Sequence, residues 1–336
     1  MTTIKKILVD KDSTCQSIWF MRQAGRYLPE FRKIRSQNKN FIKLCLNSDL
    51  SSEITLQPIK RYNLDSAIIF SDILLIPYAL GQEVNFVKDQ GPLLSNFDIN
   101  NFKHNDELNF TKKLNPIYKA ISQTRKKLNK EKSLISFIGA PWTLLIYMLR
   151  LKNSKNEIEI NKLNDYKLNL SLIINDLVIY LCKHIENQIN AGADLVQIFD
   201  SWAGLLIDED LEKFCYNPTL KIVEFCKERK IPVICFPKGI KENYLEFKNI
   251  VKPDGLSLDY DIDPLWAKEN LTKIVLQGGL HPLTLFKSDK EMYDASKKYL
   301  DIFKDVPYIF NLGHGIVPKT DPEKLNKLIK YVREYR

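Results

Sequence analysis

Glycine is scarce in this 336-residue chain: there are 12, about half the count that ordinary usage of roughly 7% would give. Arginine is scarce too, supplying only ten of the 50 basic residues. The six cysteines (Cys15, Cys45, Cys182, Cys215, Cys226, Cys235) form no C-x-x-C pair, so neither a disulfide framework nor a zinc ribbon is expected, and the thiols read as reduced. The longest uncharged stretch, Leu134–Leu149, falls short of the ~20 apolar residues of a membrane span and is broken by Gly139-Ala-Pro141. Met1 to Thr14 alternates charged and apolar residues without an apolar run, so no secretory signal is expected. There is no G-x-S-x-G elbow and no H-E-x-x-H pair. What remains is an ordinary globular composition, 44% hydrophobic and 27% charged, which excludes disordered and fibrous classes. The expectation is a soluble cytoplasmic protein with no domain boundary between residues 1 and 336.

Eight short apolar runs, rich in β-branched residues, read as buried parallel strands. They are Ser17–Met21, Ala67–Ser71, Leu134–Ile138, Leu195–Phe199, Pro232–Phe236, Gly255–Asp259, Ile274–Gly278 and Tyr308–Leu312. Helical patterns lie between them. Leu170, Ile173, Ile174, Leu177, Leu181, Ile185 and Ile189 share one face, and Gly192 ends that helix. Asp208–Arg229 and Asp321–Arg333 are further amphipathic helices, the second with Pro322 at its first position. Polar insertions at Glu83–Asn109 and Leu151–Asp165 interrupt the rhythm. Eight strands alternating with helices predict an α/β fold, a single (β/α)₈ TIM barrel, ahead of a doubly wound sheet.

In such a barrel the chemistry sits just beyond the C-terminal end of each strand. Those positions are Arg22, Asp72, Gly139–Trp142, Asp200-Ser201, Pro237-Lys238-Gly239, Tyr260, Gly279 and Gly313-His314-Gly315. Seven of the 12 glycines (Gly25, Gly139, Gly239, Gly278, Gly279, Gly313, Gly315) lie at or near them, where turns or close ligand approach are needed. Four of the ten arginines fall between 22 and 35. Arg22 and Arg26, four apart after a strand, offer two planar forks to a polyanion, each charge-assisted bond contributing about 1.5–3 kcal/mol. The plain alternative is a solvated helix turn with surface ion pairs such as Arg26 with Glu30, worth under about 1 kcal/mol. Charge pattern alone leaves these two readings level. Asp72 stands between Ile68-Ile-Phe70 and Leu74-Leu-Ile76, either as a satisfied structural carboxylate or as a functional one with a perturbed pKa.

Other patterns fail on their own chemistry. Gly313 to Thr320 resembles a phosphate-binding loop, but Pro318 stands where the second glycine belongs and lacks the N–H. Cys182 and His184 are two apart on a helix, on different faces, and make a poor metal pair; His104 lies in a polar loop without partners. Arg125 to Lys132 is most simply a solvated helix end, although the net charge of +9 leaves a basic nucleic-acid-binding protein as a rival class.

The stretch Ile18-Trp-Phe-Met-Arg-Gln-Ala-Gly-Arg-Tyr-Leu-Pro-Glu-Phe-Arg32 resembles the N-terminal signature of the uroporphyrinogen decarboxylase family of porphyrin and haem biosynthesis. The resemblance continues through Ile69–Leu74, Gly139–Thr143 with Tyr147, Phe199–Gly204 and Asn311–Ile316, in family order over nearly the whole chain. It implies a (β/α)₈ barrel and a homodimer. It also implies conversion of uroporphyrinogen III to coproporphyrinogen III by loss of four acetate carboxyl groups, with no metal or organic cofactor and no nucleic-acid or membrane partner. Carried over by motif, the catalytic residues are Asp72 and Arg22, and the substrate contacts are Arg22, Gln23, Ala24, Gly25, Arg26, Asp72, Tyr147, Ser201 and His314. Arg22, His314 or a water polarised by Arg22 stand as candidate proton donors. Two departures from the family pattern fall near strands six and seven: Gln277-Gly-Gly279-Leu-His281-Pro for Q-G-N-L-D-P, and Ser257-Leu-Asp259-Tyr260 for Gly-Leu-Asp-Trp. A cobalamin- and zinc-dependent methyltransferase of the related barrel group is the rival enzyme, although Cys235 at a strand end has no His-x-Cys partner.

Overall fold

A computed structural model describes residues 1–14, 17–87, 91–98, 102, 106–151, 159, 162 and 167–335. Cys15 and His104, and parts of both polar insertions, lie outside the described residues.

All eight expected runs are strands of one parallel sheet. They are β1 (Ser17–Ile18), β2 (Ser66–Ile68), β5 (Ser133–Gly139), β6 (Leu195–Asp200), β7 (Val233–Pro237), β8 (Gly255–Leu258), β9 (Val275–Gly278) and β10 (Tyr308–Phe310). The sheet order is β1-β10-β9-β8-β7-β6-β5-β2. Between β1 and β2 a side chain replaces the ladder. Asp65 N–H donates to Ile18 O at 3.0 Å, and Asp65 Oδ2 accepts from Ile18 N–H at 2.7 Å, closing the (β/α)₈ barrel. Several strands are shorter than their apolar runs for the same reason. Met21 N–H turns to Asn311 Oδ1 (3.1 Å) and Phe70 N–H to Thr55 Oγ1 (2.8 Å), so side chains take over where the ladder stops.

The barrel interior is layered. At its base the helix Thr3–Asp10 inserts Ile4, Ile7 and Leu8, which pack with Ile68, Ile135, Leu195, Ile234, Val275 and Ile309. Each fully buried side chain of this kind contributes about 1.5–3 kcal/mol. Above this plug Gln277 joins Trp19 (2.8 Å), Gln197 (3.1 Å) and Ser257 (2.6 Å), all buried and mutually satisfied. Above that layer Phe137, Phe199 and Phe236 form a row with ring centroids 5.8 and 6.4 Å apart. Phe137 and Phe199 keep some exposure and face the open, C-terminal end.

The helices follow the expected faces. Leu170, Ile173, Ile174, Leu177, Leu181 and Ile185 are buried on the helix Lys167–Asn190. Asp208–Glu228 runs as one helical segment with a π-turn at Glu212–Tyr216, and Asp321 caps the helix Pro322–Glu334. Within the first polar insertion lies an antiparallel hairpin, β3 (Val84–Val87) with β4 (Gly91–Leu94). Among the described residues no helix is long and apolar enough to cross a membrane.

Candidate active site

The four clustered arginines divide into two pairs. Arg32 Nη1 donates to the carbonyls of Arg26 (3.0 Å) and Tyr27 (2.8 Å), and Arg35 Nη1 to those of Asn38 and Lys39. These two serve the backbone. Arg22 and Arg26 are exposed at the barrel mouth, and among the described residues no carboxylate pairs with either. Glu30, the obvious surface partner for Arg26, is held instead by Arg61 in a two-pronged ion pair of 2.8 and 2.9 Å. The Arg26–Glu30 ion pair is therefore not formed, and both guanidinium groups are free of carboxylate partners among the described residues.

The loop that carries the clamp is over-determined. Arg22 sits at φ 61°, a left-handed conformation costing about 1–3 kcal/mol in a non-glycine residue. Gln23 is fully buried: its amide donates to Ser66 O (2.9 Å) and its Oε1 accepts from Phe20 N–H (3.1 Å), which ties the loop to β2. Gln23 thus forms the wall behind the pocket, while Ala24 and Gly25 are half-buried beside it. Tyr27 Oη donates to Gln23 O at 2.9 Å. The aliphatic part of Arg22 lies directly on Gly315, where any Cβ would collide with Arg22 Cδ and Cγ. A side chain there would displace the guanidinium.

Asp72 follows β2 and faces the pocket half-buried, with one neutral partner, Leu74 N–H to Oδ1 at 2.9 Å. Burial lifts its carboxyl from 3.8 to about 6, against the pull of that N–H and of the Arg22 charge. Tyr147 reaches the same space from the helix Pro141–Met148, its ring 6.4 Å from that of Trp202. Burial raises its phenol; the Asp72 charge adds to this and the Arg22 charge opposes it. Ser201 is half-buried directly after β6. His314, after β10, accepts Gly315 N–H on Nδ1 at 2.7 Å. Burial, then the charges of Arg22 and Lys238, push it down to about 4. It is a neutral imidazole near pH 7, with only Nε2 left to donate, so an imidazolium acid is not on offer there.

Arg22, Asp72, Tyr147 and His314 therefore share one electrostatic neighbourhood, although they arrive from widely separated segments. Lys238 acts on His314 as well, from one of the strand-end positions expected to carry chemistry, although no family motif marks it. Asp200, at the end of β6, is also lifted from 3.8 to about 6 by burial, but its Oδ1 takes the Thr143 hydroxyl at 2.6 Å. Cys235 is fully enclosed and its thiol is pushed well up by burial, the opposite of an activated metal ligand. Among the described residues no three His, Cys, Asp or Glu side chains converge as metal ligands would. The departures near β8 and β9 pack together: the Tyr260 and His281 rings are 4.3 Å apart.

A closed eight-stranded α/β barrel with an arginine fork, a buried carboxylate and a neutral histidine at its C-terminal mouth defines an enzyme that binds an acidic small molecule. The profile of the uroporphyrinogen decarboxylase family matches residues 2–335. A uroporphyrinogen decarboxylase of Rickettsia bellii is 42% identical over 328 residues, covering 95% of this chain and 94% of that relative. One from Cereibacter sphaeroides is 39% identical, covering 94% of each. The chain belongs to the uroporphyrinogen decarboxylase family. Among solved structures, a methyltransferase from Methanosarcina mazei superposes with a TM-score of 0.73 over 100% of this chain and 99% of its own, at 16% identity, a likeness of fold alone.

Proposed function

We propose that this chain is a carboxy-lyase that converts uroporphyrinogen III to coproporphyrinogen III, removing carbon dioxide from four acetate arms. One observation carries the reading to these residues: Arg22, which no described carboxylate pairs with, acts through its charge on a carboxylate, Asp72, that burial has lifted to about 6. The substrate is complementary, with carboxylates on its periphery and pyrrole N–H donors inside.

Arg22 and Arg26 hold peripheral carboxylates, with Gln23, Ala24 and Gly25 forming the loop that presents them. Asp72 accepts the pyrrole N–H groups. A water polarised by Arg22 protonates a pyrrole ring carbon, giving a cationic ring. The C–C bond to the carboxylate then breaks, its electron pair neutralises the ring and carbon dioxide leaves. A proton added to the resulting methylene gives the methyl, and return of the first proton from the ring carbon to water restores the neutral pyrrole, so that one proton is taken up per carbon dioxide released. Asp72 stabilises the cation as it forms, about 4 kcal/mol at ~4 Å and an effective dielectric of 20. Tyr147, Ser201 and His314 orient the arms through hydroxyls and the Nε2–H.

The working unit is a single-domain barrel, residues 1–336, paired as a homodimer in the cytoplasm. Exposed Leu265, Leu283 and Phe286, on the segments after β8 and β9, support an apolar contact beside the mouth. The buried, unpaired Cys45, Cys182, Cys215, Cys226 and Cys235 suit a reducing compartment. Incubation with uroporphyrinogen under anaerobic, reducing conditions tests the reading by mass spectrometry. Stepwise loss of four carboxyl groups is expected, and an unchanged substrate mass would overturn it.

A further inference from the structure

Lys238 follows Pro237, the last residue of β7. In the sheet order β7 is four strands from β1, so across an eight-stranded barrel it faces the Arg22 loop from the far side. Its backbone is fixed from both sides. Lys238 N–H donates to Asp200 O (3.0 Å), Gly204 N–H to Lys238 O (2.9 Å), and Gly239 N–H to Asp259 Oδ2 (2.7 Å). A Cβ on Gly204 would stand 2.5 Å from Gly239 O, so the two loops meet backbone to backbone.

The side chain is free of such ties. Its ammonium stands 6.0 Å from the Tyr260 ring centroid, the outer reach of a cation–π contact. Among the described residues no carboxylate pairs with it. Asp259, which accepts the neighbouring Gly239 N–H, is also engaged by Tyr244 Oη–H and Asp261 N–H. Tyr260 lies against Gly313 and Arg22 against Gly315, on either side of His314, and the charges of Lys238 and Arg22 both act on that imidazole, so the two cations stand about one mouth. Lys238 is a half-buried residue whose ammonium is left available to a carboxylate brought by a ligand.

A ring-shaped substrate with carboxylate arms on all sides needs cations on opposite walls, and Arg22 and Arg26 supply only one wall. We propose that Lys238 is a substrate-binding residue that receives a peripheral carboxylate arm on the wall opposite the Arg22/Arg26 fork, with the Tyr260 ring beneath its ammonium. This rests on the decarboxylase reading above and adds a second anchor to it. An anchor on each wall holds the macrocycle level while one acetate faces Asp72, and sets how readily a partly decarboxylated ring leaves between turns.

The test compares wild type, Lys238→Met and Lys238→Arg with uroporphyrinogen as substrate, and follows the imidazole signal of His314 by NMR titration, assigned through its loss in His314→Gln. Loss of one charge-assisted bond is expected to raise KM about tenfold in Lys238→Met, with kcat falling less and partly decarboxylated intermediates accumulating. Lys238→Arg recovers most of the KM. The His314 midpoint rises from about 4 in Lys238→Met and stays low in Lys238→Arg. A wild type that turns over alongside a Lys238→Met variant with unchanged KM overturns the arm site alone. A wild type that releases no carbon dioxide overturns the reading beneath it, whereas an unmoved His314 midpoint removes Lys238 from the pocket.

Discussion

Asp72 and Asp200 stand at the C-terminal ends of β2 and β6, with only β5 between those strands, and burial lifts both carboxyls from 3.8 to about 6. Their surroundings differ. Asp200 is nearly inaccessible; the Thr143 hydroxyl (2.6 Å), the Cys215 thiol and the Trp202 N–H turn towards it. Asp72 has Leu74 N–H and the distant charge of Arg22, and the rest of its acceptor capacity opens onto the pocket. An equal shift in proton affinity therefore does not mark an equal role. Asp200 Oδ2 is buried without a hydrogen-bond partner, so unfilled capacity alone does not tell the two apart; what separates them is that Asp72 keeps access to solvent and Asp200 does not. Asp200 acts at one remove, because Thr143, which it holds, also receives Trp202 N–H at 3.3 Å and so steadies the turn bearing Ser201.

The contrast can be tested at both sites. The largest effect is expected for Asp72→Asn: turnover falls about 10³-fold, the loss of some 4 kcal/mol of transition-state stabilisation, while the circular dichroism spectrum is unchanged. Turnover above a tenth of wild type would remove Asp72 from the chemistry. Next is Asp200→Ala, which strands the Thr143 hydroxyl and opens a small cavity; urea unfolding should show a loss of about 2–4 kcal/mol. If Asp200→Ala were the variant that kept its stability and lost turnover, the two roles would be reversed. Arg26→Lys comes third, with KM raised about fivefold and kcat nearly constant, since an ammonium cannot reproduce the guanidinium fork. Equal KM values would argue that Arg26 does not clamp the substrate.

The smallest effect concerns pH. The folded Asp72 carboxyl binds its proton more tightly than the ordinary value of 3.8, with a midpoint at about 6. Its contribution to stability is therefore greatest below about pH 4 and is lost as pH rises through 6. Asp72→Asn should lack this slope and melt slightly higher at pH 7, by the equivalent of about 1 kcal/mol after solvent screening. In activity the sign is opposite: kcat/KM falls as pH drops through 6, because protonation removes the charge that stabilises the pyrrole cation. An acid limb that persists unchanged in the residual activity of Asp72→Asn would assign it to another group.

The eight strands were legible because strands buried on both faces must be apolar throughout, and that pattern survives in a single sequence. Their lengths were not, because ladders end where Asp65, Thr55 and Asn311 offer side-chain partners from distant segments. The plug helix was hidden as charged–apolar alternation, although Ile4, Ile7 and Leu8 fall three and four apart on one face. Arg22 and Asp72 could be read as strand-end residues with unusual chemistry. Whether Arg26 was free could not, since that depends on Arg61 capturing Glu30 from another helix. Lys238 was marked only by its place beyond a strand end; that its ammonium lacks a carboxylate partner among the described residues depends on packing.

The fastening of the Arg22 loop bears on how the enzyme comes into being. Met21 N–H is held by Asn311, Trp19 by Gln277, Met21 O by Ile316 N–H, and β1 finds its ladder only on β10. Residues 277–316 thus position a loop encoded at the opposite end of the chain. Asp72 and the inner side of the arginine loop, tied through Gln23 to Ser66 O, rest on β2, but the other side of that loop is fastened only by Asn311 and Ile316. The first and last strands of the chain thus complete one another, and the loop bearing Arg22 and Arg26 is braced on both sides only when the two ends of the sequence meet.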